Sequence, residues 1–176
     1  MAGSIVDFKT SFKNELARPN RFDVVLTVPT VINLVGSSSR ILTYRCESAQ
    51  LPGRTFATTE QKTYGPIEKF PYLTTYNDLD LTFIVTDTMV EKYIFDSWLE
   101  AINPARTNNF EYKSDYSTII TVNQYNVFND LTYAVDFYDA YPISMNQMDL
   151  DWSQNDSYHK LTVTFAYTRW FNRTES

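Results

Sequence analysis

The stretch LDLTFIVTDTMVEKYIFDSWLEAI, residues 79–102, decides the fold class. Its first part alternates: Leu79, Leu81, Phe83 and Val85 share one face of a strand spanning Asp78 to Thr86. The period then changes. Within TMVEKYIFDSWLEAI, Val90, Ile94, Trp98 and Ala101, with Phe95, Leu99 and Ile102, form one broad helical stripe. Asp87 is placed to cap that helix and Asn103-Pro104 to close it. A half-buried strand that runs straight into an amphipathic helix lays the helix across an open face or end of a sheet.

Period-two segments extend on both sides. Arg21 to Val28 places Phe22, Val24, Leu26 and Val28 against Asp23, Val25 and Thr27. Ile41 to Ser48, Phe110 to Lys113, Ser117 to Tyr125, Leu131 to Tyr138, Ile143 to Leu150 and Lys160 to Phe171 also read as strands. The expected architecture is mainly β, an antiparallel β-sandwich or barrel with one internal helix and an N-terminal helical arm. Residues 1–176 are expected to form a single domain, with residues 1–20 as the arm.

The arm is SIVDFKTSFKNEL, Ser4 to Leu16, with Ile5, Phe8, Phe12 and Leu16 at helical spacing and Ser4 able to cap it. ARPN follows. Pro19 supplies no amide donor and restricts the residue before it, so it separates arm from strand.

Residues 51–76, LPGRTFATTEQKTYGPIEKFPYLTTY, hold three prolines, two glycines and five aromatics with little periodicity. A polar, ring-studded excursion this long is usually functional. It reads as a projecting hairpin or arm that docks on another chain, against a surface loop packed on its own domain.

The composition excludes several kinds of chemistry. One cysteine and one histidine in 176 residues rule out an intrachain disulfide and a thiolate zinc site. Cys46 is expected to be a buried, inert thiol, and His159 an exposed or edge residue at a strand start. No GxSxG, GxxxxGKS or GxGxxG run occurs. Asp149, Asp151 and Asp156 in MDLDWSQND could form a glycosidase pair or cation cage. Asp149 and Asp151 alternate on a strand-like segment, however, and read more simply as a solvated acidic stripe. No catalytic residue, metal or cofactor is expected. The start, MAGSIVDFKTSF, lacks a continuous apolar core, so no signal peptide is expected, and no run suits a membrane span.

Charge is segregated along the chain. Residues 1–76 carry nine Lys/Arg and six Asp/Glu, a net of +3; residues 77–157 carry three and fourteen, a net of -11; the rest carry three and one, a net of +2. The whole is -6, a poor footprint for binding nucleic acid.

The arm, then ARPNRFDVVL, then YRCESAQLPG resembles the tail tube proteins of contractile-tailed, T-even-like bacteriophages. Cys46, Ala49, Leu51 and Pro52 match a C-x-x-A-x-L-P turn. LDLTFIVTD matches a strand that leads into an F-x-x-W helix at Phe95 and Trp98, and MDLDWSQND resembles an L-x-L-D-W run before the last strand. The matches run in order from residue 17 to residue 171.

The resemblance implies a non-enzymatic virion protein of the phage tail, assembled in the host cytoplasm. It forms hexameric rings that stack into a tube inside the sheath. DNA passes through the lumen without specific binding, and an acidic bore would limit drag. Implied partners are further copies of the chain and the sheath, tape-measure, baseplate and tail terminator proteins. Candidate inter-subunit contacts are Phe8, Phe12, Phe56, Tyr64, Pro66, Ile67 and Phe70, the last five in the docking loop at 51–76. A baseplate tube initiator or the tube of a related injection machine such as type VI secretion is a reading of the same class. A β-sandwich hydrolase using Asp149 or Asp151 and a carbohydrate-binding module with Tyr and Trp platforms are the rivals from other classes.

Overall fold

The structure, a computed structural model, describes residues 5–11, 16–32, 38–62, 64–153 and 155–175. The elements are α1 (Ile5–Ser11), β1 (Phe22–Leu26), α2 (Ser38–Arg45), β2 (Cys46–Ala49), β3 (Thr55–Gln61), β4 (Glu68–Thr75) and β5 (Leu79–Ile84). They continue with α3 (Val90–Ile102), α4 (Lys113–Tyr116), β6 (Thr118–Tyr125), β7 (Leu131–Met145), β8 (Lys160–Ala166) and β9 (Arg169–Asn172). The fold is mainly β and antiparallel, as the alternation predicts.

Seven strands form one sheet in the order β1-β6-β7-β8-β5-β2, with β9 also paired to β7. Strand β7 serves two halves. Its first part lies between β6 and β9; its last part, Tyr141 to Met145, pairs with β8. Between them Asp139 adopts a left-handed conformation, φ 54°, and the register with β6 shifts. Such bulges let a strand turn from one face of a core to another. Strands β8 and β9 follow the same bend: Ala166 opposes Tyr141 and Arg169 opposes Tyr138, so the register resumes unbroken beyond Tyr167-Thr168.

Both halves bury side chains in one cluster. Val24, Leu26, Ile120, Val122, Val135 and Phe137 come from the first half; Leu79, Leu81, Phe83, Leu161, Val163 and Phe165 come from the second. Helix α3 closes the cluster. Phe95 lies 5.1 Å from Phe83 and meets Phe165 edge-on at 6.1 Å, while Trp98 meets Phe165 edge-on at 6.0 Å. Trp98 Nε1 donates to the Tyr116 carbonyl at 2.9 Å, so its buried indole N–H is satisfied.

Several expectations change. Ile41 to Arg45 is helical, and the strand is Cys46–Ala49. β-branched Ile41 and Thr43 suggest a strand, but the helix buries Leu42 and sends Arg45 to Glu91. Asp87 does not cap α3: the N-cap is Met89, left-handed at φ 52° and without a side-chain cap. Glu91, fully buried in the first turn, instead accepts from the Thr86 amide at 3.2 Å and pairs with Arg45. Phe110 to Glu111 form no strand, and Lys113 begins a short helix. Leu131 to Tyr138 and Ile143 to Met145 are parts of one strand. Pro142 is tolerated because it lies past Ala140, the last residue β7 pairs with β6. That strand stops at Met145, so Asp149 and Asp151 sit in irregular backbone and not on a strand face. Of the arm, Ile5–Ser11 is helical, while Ser4 and Phe12 lie outside the described residues.

Candidate assembly surfaces

Residues 55–75 fold as a hairpin of their own, β3 against β4, separate from the main sheet. Thr55 opposes Thr75 and Gln61 opposes Glu68, and a bulge between Ala57 and Thr58 breaks the register, which hides the alternation in the sequence. Pro71 is accommodated because a two-stranded ribbon consists of edge strands. The root is clamped. The Arg54 guanidinium stands 4.9 Å from the Trp170 ring and 5.8 Å from the Tyr76 ring, and Tyr76 lies 5.9 Å from Tyr167. Beyond this root, every described residue of the two strands except Ala57 is exposed.

The hairpin gathers five of the seven candidate contact residues. Phe56, Tyr64, Pro66, Ile67 and Phe70 are all exposed. Phe56 opposes Thr74 and Phe70 opposes Thr59, so the two rings project from opposite faces of the ribbon. Phe8 is exposed on α1, a different element, and Phe12 is outside the described residues.

A second exposed apolar element escaped the sequence reading. Residues 146–159 connect β7 to β8 and present Leu150 and Trp152, 86 % and 102 % exposed. Asn146 pins the neck. Its amide donates to the Thr162 carbonyl at 3.0 Å, its Oδ1 accepts from the Thr162 amide at 2.7 Å, and its Nδ2 donates to the Lys160 carbonyl at 3.3 Å. Lys160 donates to Glu47 at 2.7 Å beside Tyr158, and that bond raises the Lys160 pKa above the usual lysine value. Asp149, Leu150, Asp151, Trp152, Ser157 and His159 line a cleft of about 360 Å³. The signal was in the sequence as a leucine and a tryptophan between aspartates, but assigning the segment to a strand masked it.

The outward faces of the sheet carry held carboxylates. Asp23 accepts from Asn123 Nδ2 at 2.7 Å and from the Tyr125 hydroxyl at 3.1 Å. Asp136 accepts from Thr121 Oγ1 at 2.7 Å, and Asp80 from Thr164 Oγ1 at 2.7 Å. Burial first, then the charge of Asp23, pushes the Tyr125 pKa up. Beside α3 a groove of about 710 Å³ is lined by Asp96, Glu100, Glu111 and Asp115 together with Tyr93 and Tyr116.

Among the described residues no three His, Cys, Asp or Glu side chains gather as a metal site. Asp151 accepts from the Ser153 amide at 2.9 Å, which lowers its pKa and keeps it ionised, the opposite of what a general acid needs. Cys46 is half-buried with its Sγ donating to the Ser48 carbonyl at 3.4 Å, and burial pushes its pKa up to about 12. The thiol stays protonated and unreactive near neutral pH. His159 is half-buried, and its carbonyl accepts from the Val85 amide at 3.0 Å. No described helix is long and apolar enough to cross a membrane.

The fold occurs in solved structures of larger assemblies. A chain of the anti-feeding prophage baseplate is similar at a TM-score of 0.65 and 14 % identity, covering 90 % of this chain and 96 % of that one. A chain of the PVC sheath/tube terminator, an extracellular contractile injection system, gives 0.65 at 18 % identity over 92 % and 99 %. A chain of the PVC sheath-tube complex gives 0.63 at 17 % over 98 % and 99 %. At such identities the likeness is one of fold. Among curated proteins none matches this chain. The family model described as "Phage tail tube protein" matches residues 17–173. With that match spanning every strand of the sheet, the hairpin and the Leu150–Trp152 loop, the chain belongs to the phage tail tube protein family.

Proposed function

We propose that the chain is a structural subunit that stacks as hexameric rings into a tail tube whose lumen conducts DNA. The hairpin carries this reading: a clamped root and rings on both faces along an exposed ribbon suit burial against another copy. Strands β1 and β2 end the main sheet, each paired on one side among the described residues. Neighbouring copies would cover such edges. The 1–176 chain acts as one unit, with residues 1–20 as an arm and Phe8, Phe12, Phe56, Tyr64, Pro66, Ile67 and Phe70 at subunit contacts. Sheath, baseplate and terminator proteins are the expected partners, since similar chains come from complexes named for those parts. Tape-measure contact would occur within the bore.

The outward face of β1, β6 and β7 lines the lumen in this reading, with Asp23 and Asp136 repelling phosphate. Negative-stain microscopy of the purified protein tests the assembly: six-fold rings or tubes are expected, and a persistent monomer at high concentration overturns it. Asp23→Lys with Asp136→Lys should leave tubes intact and slow genome release; unchanged release overturns the lumen assignment. A second reading, the tube of an extracellular injection system, is favoured by the likeness to the anti-feeding prophage and PVC chains. It predicts tubes of the same kind with protein cargo in place of DNA.

A further inference from the structure

We propose that the hairpin of one copy seats on the Leu150–Trp152 loop of a second copy, with Lys62 and Lys69 facing Asp149 and Asp151. The pairing rests on the self-assembling reading above and names the two surfaces that meet.

Position comes first. The hairpin joins the main sheet between Ala49 of β2 and Leu79 of β5. The loop joins it between Met145 of β7 and Lys160 of β8, and Lys160 opposes Ile84 at the far end of β5. The two exposed elements therefore leave opposite ends of the same strand, roughly 17–20 Å apart at its rise per residue. Within one copy the clamped root of the hairpin and the neck of the loop are thus set apart. Two copies can join them, in a head-to-tail contact that leaves a free hairpin and a free loop for the next.

Chemistry agrees. Residues 146–159 hold Asp149, Asp151 and Asp156 with no Lys or Arg, a net of -3. The exposed ribbon at residues 55–75 holds Lys62 and Lys69 against Glu60 and Glu68, a net of 0, with Arg54 engaged at the root, so the attraction is local to the two lysines. Lys62 is exposed near the turn, and Lys69 is exposed with Glu60 at 3.5 Å. Each element also offers bare apolar groups: Phe56, on the same face of the ribbon as Glu60 and Lys69, on one, and Leu150 and Trp152 on the other. The ends of the loop are fixed by the Asn146 neck and the Glu47–Lys160 bond, which limits the ordering its ends must undergo on binding.

Charge exchange in the full chain tests the pairing, read by sedimentation and negative stain, with thermal melting to confirm the fold. Asp149→Lys with Asp151→Lys, or Lys62→Asp with Lys69→Asp, should each raise the concentration needed for assembly about tenfold. All four together should restore it. Trp152→Ala, at an exposed position, should also raise it about tenfold. The pairing is overturned if the fourfold variant assembles no better than either pair, or if Trp152→Ala assembles normally. It is also overturned if the hairpin reversal is rescued by Asp96→Lys with Glu100→Lys in the α3 groove. A wild-type chain that never assembles refutes the subunit reading itself and is distinguished by the absence of any assembled reference.

Discussion

Arg45, on the last turn of α2, reaches the fully buried carboxylate of Glu91 in the first turn of α3. The same carboxylate accepts from the Thr86 amide and lies within bonding distance of the Thr86 hydroxyl. One side chain thus ties α2, the end of β5 and α3 together. Arg45→Ala should strand a buried charge and destabilise the fold by about 2–4 kcal/mol, less than for a wholly buried pair because Arg45 is partly exposed. Glu91→Gln keeps an acceptor for the amide and should cost less. Urea unfolding of both variants checks the order.

Phe165 lies against both Phe95 and Trp98. Phe165→Ala opens a cavity between helix and sheet and should cost about 3–5 kcal/mol. Thermal melting reads it, and a loss below 1 kcal/mol would mean that α3 does not depend on this contact.

Asp139 holds φ 54° at the bend of β7. Asp139→Gly should be tolerated, because glycine enters the left-handed region freely. Asp139→Val should destabilise by about 1–2 kcal/mol. Equal stabilities of the two variants would contradict a positive φ there.

Cys46 has a folded pKa of about 12 against an ordinary value of 9.0. Between those values the unfolded thiol ionises while the folded one keeps its proton, so this contribution to stability is whole below pH 9 and is lost as pH rises towards 12. Tyr125, also raised, acts with the same sign. Cys46→Ala should therefore flatten the fall in stability above pH 9 in denaturant titrations. The native thiol should also react slowly with iodoacetamide at pH 8 and rapidly once unfolded.

Replacing residues 55–75 by a short glycine-serine linker should spare the monomer fold, because that hairpin forms its own sheet. Melting should stay close to wild type while ring or tube formation is lost. Normal tubes from this variant would remove the hairpin from the assembly contacts.

The alternation Leu79–Leu81–Phe83 and the stripe around Trp98 were legible because one face of each element is buried and the other is not. The helix at Ile41–Arg45 was not, since its helicity depends on Leu42 and on a partner 46 residues away at Glu91. Met89 replaced Asp87 at the start of α3 for a similar reason: Glu91 already accepts from the backbone ahead of the helix. At the candidate contacts, the ring-rich composition of residues 51–76 exposed the hairpin, whereas its bulge concealed the strands. The Leu150–Trp152 loop was missed because alternating aspartates imitate a strand wherever the end of pairing is unknown.

Strand β7 runs for 15 residues and belongs to both halves of the sheet. A pull that enters one half therefore passes to the other along a covalent backbone, flanked near the bend by the continuous track of β8 and β9. A pull along β7 loads the ladder bonds to its neighbours in shear, several at once. A tube made of such bricks would resist tension by its polypeptide chains before it relied on the grip of its core.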